Sequence, residues 1–360
     1  MAAGEPEAHM RAARFYGGKD IRVEEIPVPE PGPGEVLVRI RSAGICGSDL
    51  HNYRGNRASV FTPPWEQGHE LAGEVAGLGK DVTGLKIGQR IAIEGEHLVG
   101  CGVCRHCLAG DNHICPTRGF VNGQRHGSHG FSEYDVCVAR NCHPLPHNVS
   151  CDEAVLLDSY ACAVHVLNRA PLHVTDTLAI IGTGAIGLTL GQVARVYGAR
   201  RVIMIGTRAA PLRIAQNCGA ADEVVAIEDG DPVAAVMKLT DGQGADAVIE
   251  TVGGNAQILA QAMALARRGG TVSVMGVFTA PQTIDPSLGF SRELTVKWSN
   301  SLSSWHGISE FRTAIDLVSS GRLLAAPIIT HHFPLEKIAE AFAATDDKRS
   351  SGAIRVVVHA

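Results

Sequence analysis

The stretch T-L-A-I-I-G-T-G-A-I-G, from Thr177 to Gly187, reads as an apolar strand, a glycine turn and the first residues of a helix. Gly182, Gly184 and Gly187 have the spacing G-x-G-x-x-G, a weak signal alone but a specific one when a strand leads in and a helix leads out. Glycine lets the chain turn sharply and lets a pyrophosphate approach the backbone, while the helix opened by Ala185 and Ile186 turns its partial positive charge toward that group. A dinucleotide is therefore the expected ligand. The uncharged run continues to Ala194, yet its glycines and threonines mark strand, turn and helix rather than a membrane span.

On either side of this turn, apolar strands alternate with Ala-rich helical segments. The candidate strands are Leu178–Gly182, Val202–Gly206, Glu223–Ala226, Asp246–Glu250, Thr271–Gly276 and Leu294–Trp298. Six strands with right-handed crossovers predict a doubly wound parallel sheet. In such a unit an acid about 20 residues beyond the glycine turn holds the adenosine ribose of NAD and repels a 2′-phosphate. Here the second strand ends Gly206, Thr207, Arg208, and the acid is missing. Gly206 leaves room for a phosphate, Thr207 offers a hydroxyl and Arg208 a charged partner, with Arg213 within reach on the next helix. This favours NADP over NAD. The other reading leaves Gly206 closing a turn and Arg208 in solvent.

The N-terminal half has a different texture. Short β-type runs (Ile21–Ile26, Glu35–Ile40, Gly73–Val75, Arg90–Ile93, Gly130–Val138) are separated by Pro and Gly, which predicts a mostly antiparallel, barrel-like domain with no helix of note before residue 150. Two donor-rich segments interrupt it. The first is C-G-S-D-L-H, Cys46 to His51, followed by G-H-E-L-A-G, Gly68 to Gly73. Cysteine, imidazole and carboxylate are the donor set of a catalytic zinc, which keeps one position open. Cys46 and His69 supply two donors, and Glu70 is left as ligand, water-bridged partner or outer neighbour. Ser48 and His51 are residue types that can pass a proton toward solvent. The second segment carries Cys101, Cys104, Cys107 and Cys115, spaced C-x2-C-x2-C-x7-C. Four thiolates close a tetrahedral zinc shell with no open position, and the x7 gap differs from ferredoxin iron–sulfur runs. His106 and His113 are expected to face solvent, and His165 to pack within a helix over Val149–Asn168.

Composition sets the outer bounds. With 360 residues, 45% of them hydrophobic, 41 glycines and a net charge of −5, the chain suits a two-domain α/β enzyme and offers no electrostatic footprint for nucleic acid or an anionic membrane. Ten cysteines, half of them in metal-type motifs, fit a reducing compartment. Residues 1–10 lack the apolar core of a secretory signal, so a cytoplasmic location is expected.

The pattern G-H-E-x-x-G-x-x-x-x-x-G-x-x-V, carried by Gly68, His69, Glu70, Gly73, Gly79 and Val82, resembles the signature of the zinc-containing medium-chain alcohol dehydrogenases, and the likeness extends over residues 10–360. It implies a GroES-like catalytic domain, 1–165 with 299–360 and a structural-zinc lobe at 97–117, and a Rossmann domain, 166–298. It implies two zinc ions per chain. Asp158, in A-V-L-L-D-S-Y-A-C-A-V-H, stands where related enzymes complete the catalytic zinc site, and its assignment as third ligand rests on that resemblance. Further cofactor contacts are expected at Thr251, Val252, Met275, Gly276 and Arg355. The Gly206-Thr207-Arg208 end resembles that of bacterial NADP-dependent secondary alcohol dehydrogenases. The implied activity is hydride transfer between NADP(H) or NAD(H) and a small secondary alcohol, polyol, cyclitol or amino alcohol, by a homodimer or homotetramer. Zinc-free reductases of the same family fit the cysteines poorly. A catalytically silent zinc protein that binds dinucleotide is the rival from another class.

Overall fold

Val36, Val38 and Ile40 are buried along Glu35–Gly44, and the residues between them, Leu37 and Arg39, are more exposed. This period-2 pattern commits the strand to one apolar face. A computed structural model describes residues 8–55, 62–95, 98–121, 124–125 and 128–360. Within it Glu35–Gly44 is central to a seven-stranded sheet whose order is Ile329–Pro334, Arg355–His359, Glu35–Gly44, Glu70–Leu78, Arg90–Ile93, Cys142–Pro144, with Tyr134–Val138 also paired to the central strand. A hairpin, His9–Gly17 with Asp20–Pro27, forms a separate two-stranded sheet. Phe15, Phe131 and Phe342 meet in the core of this unit, each pair with ring centroids 5.2–6.4 Å apart.

The second unit is a six-stranded parallel sheet ordered Glu223–Ala226, Arg201–Gly206, Thr177–Ile181, Ala245–Glu250, Ala266–Val274, Thr295–Trp298. In chain order this is 3-2-1-4-5-6, so the strand order reverses between Thr177–Ile181 and Ala245–Glu250, where such sheets bind ligands beyond the strand ends. Its strands are nearly continuous apolar runs because helices cover both faces.

The compact units are Met1–Asp158 with Ile329–Ala360, and Ser159–Ile328. The boundaries differ from the expected 165 and 299 because buried polar pairs tie the flanking helices to the second unit. Glu310 takes His165 Nδ1 at 2.8 Å, Asn168 Nδ2 at 2.8 Å and the Ser303 backbone N–H at 2.7 Å. His165 is thus a packed helical residue.

Two local expectations change, and the C-terminal strand and helix have their own punctuation. A helix does form early, Gly47–Tyr53, inside the first donor segment. The segment expected as one helix from 149 divides into Cys151–Ala154 and Leu157–Arg169. Phe333 and Pro334 end the strand Ile329–Pro334, and the helix starts only at Ile338, since proline holds its predecessor extended.

Gly73 and Gly79 belong to the signature but act through packing. A Cβ on Gly73 would lie 2.1 Å from the Arg39 carbonyl oxygen, and one on Gly79 1.9 Å from that of Gly32. A Cβ on Gly47 would meet nothing within 4 Å. Gly73→Ala should therefore lower stability by about 1–3 kcal/mol in urea unfolding, whereas Gly47→Ala should leave it within about 0.5 kcal/mol of the parent.

Candidate metal centres and dinucleotide turn

Register brings the first donor set together. Glu70 pairs with Gly44 across neighbouring strands, so His69 and Glu70 come up beside Cys46, which follows the central strand and caps the helix Gly47–Tyr53. One donor atom from each of Cys46, His69 and Glu70 lies within 4.8 Å of the others. Buried Asp49 fixes the surroundings: its Oδ2 accepts the Cys46 backbone N–H at 2.8 Å and its Oδ1 stands 3.6 Å from His69 Nδ1. A carboxylate on one imidazole nitrogen orients the ring so that the other can bind a metal. Ser48 and His51 sit three residues apart on the same short helix, hence on one face.

The charges at this centre call for a cation. Burial alone would lower the His69 pKa, yet Asp49 and Cys46 outweigh it and raise it well above the ordinary value. Asp158, buried, is pushed up to about 6 by desolvation, with Glu70 and Glu94 adding to the rise and His69 and Arg355 opposing it. It lies within electrostatic reach of the three donors but outside their tight cluster. Thiolate, imidazole and carboxylate in a negative, sheltered site fit zinc.

Arg355, expected among the cofactor contacts, is tied to the first donor set. It sits in the metal-bearing unit at 2% exposure, its guanidinium paired with Glu70 and donating to the Ile45 carbonyl at 3.1 Å. A strand position far down the chain gave no signal of this pairing.

The four cysteines converge as their spacing implies. Sγ–Sγ separations are 3.6 Å for Cys104–Cys107, 3.8 Å for Cys104–Cys115 and 3.9 Å for Cys101–Cys107. A tetrahedral zinc–thiolate shell has an edge of about 3.8 Å. Backbone N–H groups of Cys104 and Cys101 point at Cys101 Sγ (3.3 Å) and Cys115 Sγ (3.5 Å). Burial pushes the Cys107 thiol up to about 12, whereas for Cys115 the opposing burial is outweighed by the Cys101 N–H and Thr117, lowering it to about 6. Four thiols at these separations are a donor set that a central cation would fit, displacing their protons. Gly100 is required here, since a Cβ would stand 2.5 Å from Cys107 Sγ. His106 is half-buried and His113 is 2% exposed, so the expectation that both face solvent fails: the lobe folds around His113.

At the glycine turn each glycine has a distinct reason. Gly182 has φ +115° and packs on Thr251, whose hydroxyl donates to the Ile181 carbonyl at 2.8 Å. Gly187 allows contact with the Gly182 carbonyl, 2.0 Å from where a Cβ would be. Gly184, the N-cap of the helix Ala185–Val196, has nothing within 4 Å of a Cβ, a cradle that suits a phosphate. Buried Glu250 organises the neighbouring loops: its carboxylate accepts N–H groups of Val252 (2.5 Å), Gly253 (2.7 Å) and Gly276 (3.2 Å). Val252 and the turn Met275–Gly276 are held in this way. Sequence reading missed Glu250, whose only signal was an acid ending an apolar strand.

The second strand end gives a different account of Gly206. A Cβ there would meet Thr183 Cγ2 at 2.4 Å, so Gly206 is required by the turn residue Thr183 whether or not a phosphate binds. Thr207 and Arg213 are exposed, and Arg208, half-buried, begins the helix Ala209–Asn217.

Comparison with known proteins agrees with this geometry. Residues 32–147 match the alcohol dehydrogenase GroES-like domain and residues 185–320 match the zinc-binding dehydrogenase family. The chain is 34% identical to L-threonine 3-dehydrogenase of Bacillus subtilis, over 95% of this chain and 96% of that one. It is 32% identical to sorbitol dehydrogenase of Bombyx mori, over 97% and 98%. A zinc-binding dehydrogenase of Sinorhizobium meliloti, solved with NADP, superposes with a TM-score of 0.85 at 30% identity, covering 98% of this chain and 100% of that one. An Escherichia coli alcohol dehydrogenase solved with NADH gives a TM-score of 0.86 at 27% identity, covering 98% and 99%.

The two donor sets should lose metal at different rates. A chelator should strip the Cys46 centre first and leave the closed four-thiolate shell loaded. Cys104→Ser should remove zinc from that shell and lower the melting temperature, because metal binding to such a lobe is part of its folding free energy. Zinc per chain by elemental analysis, followed through chelator treatment, together with melting curves checks both.

Proposed function

From the premise that the chain belongs to the zinc-containing medium-chain alcohol and polyol dehydrogenase family, an oxidoreductase of alcohols, we propose a specific substrate class, site and cofactor preference. The substrate is a small secondary alcohol flanked by a hydroxyl or amino group. The observation that carries the site is the convergence of half-buried Cys46 and His69 with buried Glu70, in a setting where Asp49 and Cys46 raise the His69 pKa. Cys46, His69 and Asp158 hold the zinc, and Glu70, balanced by Arg355, adjusts its charge. Bound zinc supplies Lewis acidity that lowers the pKa of a substrate hydroxyl, and a bound nicotinamide dinucleotide supplies the hydride acceptor. Ser48 passes the released proton along its helix face toward His51 and solvent.

The substrate class draws on relatives named for threonine and sorbitol, both polyfunctional secondary alcohols. Polar candidates for substrate contact, Arg125 and His126, add no support: His126 and the Arg125 side chain lie outside the described residues. A homodimer or homotetramer is the proposed assembly, supported by the exposed Trp298 on the edge strand Thr295–Trp298, at 61%, and by nearby Ile308, at 62%. Among the described residues no disulfide joins any cysteines, which accords with the reducing cytoplasm proposed here. Among the described residues no helix is long and apolar enough to cross a membrane.

The dinucleotide is NADP in preference to NAD, with Thr207, Arg208 and Arg213 on its 2′-phosphate. Half-burial lowers the Arg208 pKa, a penalty on its charge that a phosphate partner offsets. Kinetics with threonine, polyols, amino-cyclitols and simple alcohols test the substrate class. A vicinal amino alcohol or polyol should show the highest kcat/KM, and turnover of primary alcohols alone would refute the class. Arg208→Ala should cost about one to two orders of magnitude in kcat/KM with NADP(H) and little with NAD(H), the loss of one charged hydrogen bond. Because a Cβ at 206 meets Thr183, the reversal of preference should need Gly206→Asp together with Thr183→Ala. A parent tenfold better with NAD(H) would refute the preference.

A further inference from the structure

Away from both donor sets, Asp152, His332 and His359 bring one ligand atom each to within 4.8 Å of one another. They come from separate segments of the first unit. Asp152 lies on the short helix Cys151–Ala154, fixed by the Ser150–Glu153 capping box; His332 lies on Ile329–Pro334 and His359 on the paired strand Arg355–His359. The two imidazoles stack with centroids 5.3 Å apart and planes 9° apart, and His332 Nδ1 faces His359 Nε2 at 3.1 Å. Asp152 Oδ2 stands 3.6 Å from His332 Nδ1.

His359 and Asp152 each have an outer atom that is already engaged. His359 Nδ1 faces the Arg41 carbonyl at 3.4 Å, which favours the tautomer with a proton on Nδ1 and a lone pair on Nε2. Ser42 Oγ donates to Asp152 Oδ1 at 2.5 Å and leaves Oδ2 available. Outer partners of this kind orient the ligands of metal sites. A proton shared between the two histidines would give a plain hydrogen bond, with Asp152 standing 3.6 Å from Nδ1 of each ring. A cation would engage all three side chains: His332 Nδ1 stands 3.1 Å from His359 Nε2 and 3.6 Å from Asp152 Oδ2, which bracket the edge of about 3.3 Å in a tetrahedral shell with imidazole ligands, and the third pair lies within 4.8 Å.

We propose that Asp152, His332 and His359 form a third metal site, for a divalent transition ion of the zinc, nickel and copper class, with water in the open position. Bound there, the ion links the helix Cys151–Ala154 to the last two strands of the sheet. Nickel suits as a probe because it favours imidazole and is bound less avidly by the thiolate sites than zinc already in place.

The test is titration calorimetry of the zinc-loaded full-length protein with nickel chloride, with zinc and nickel counted before and after. The parent and the neighbouring variant His331→Ala should each take up one nickel ion per chain with all zinc retained. His332→Ala and His359→Ala should each weaken that binding tenfold or more, Ser42→Ala by a smaller factor, and nickel should raise the melting temperature of the parent but not of the two histidine variants. Nickel uptake matched by zinc release, no uptake at all, or binding undiminished in both histidine variants would each overturn the proposal.

Discussion

A buried guanidinium against a buried carboxylate holds the metal-bearing unit in its arrangement. Arg355 and Glu70 have side chains 3% and 0% exposed, and burying either alone would leave an uncompensated charge, a loss of about 3–5 kcal/mol in comparable pairs. The pair joins the last strand of the chain to the strand that begins beside His69. It accounts for the chain's return: residues 329–360 must come back after the whole second unit has been made, because Arg355 completes the charge balance of a centre begun at Cys46. With Glu70 so held, Cys46 and His69 stand beside it as a donor set that fits a metal cation.

The second unit rests on contact distances rather than charge. Gly182, Gly187 and Gly191 each sit where a Cβ would fall within 2.4 Å of a neighbouring atom, of Thr251, Gly182 and Ala220 in turn, so the turn, its helix and the adjoining segments approach more closely than a side chain allows. Glu250 then draws three backbone N–H groups toward the strand ends and fixes the loops that border the turn. Packing sets the backbone, and the open N-terminus at Gly184 is what remains for a phosphate.

Much of this was legible in the sequence, for local reasons. The six parallel strands are apolar runs bounded by glycine or helix, and the two donor segments carry their ligands at short spacing, so neither needs knowledge of distant partners. Legibility ends where partners are far apart in the chain. Arg355 reads as one more residue of a C-terminal strand, and nothing near it names Glu70, 285 residues earlier. Gly206 reads as room for a phosphate until Thr183 is seen beside it, and His113 reads as a loop histidine until the four-cysteine lobe closes over it. Asp152, His332 and His359 have no spacing to betray them, because strand pairing brings the two histidines together and a helix far earlier in the chain supplies the carboxylate.

The central claim is that an exchangeable metal sits in a shell containing one thiolate, from Cys46, beside imidazole and carboxylate. Selective replacement of the labile zinc by cobalt(II), followed by visible and near-ultraviolet absorption spectroscopy of the parent and of Cys46→Ser, tests it directly. The account predicts a thiolate-to-cobalt charge-transfer band in the parent that vanishes in Cys46→Ser, while the zinc of the four-cysteine lobe stays in place. The same band undiminished in Cys46→Ser, or no exchangeable metal outside that lobe, would contradict it.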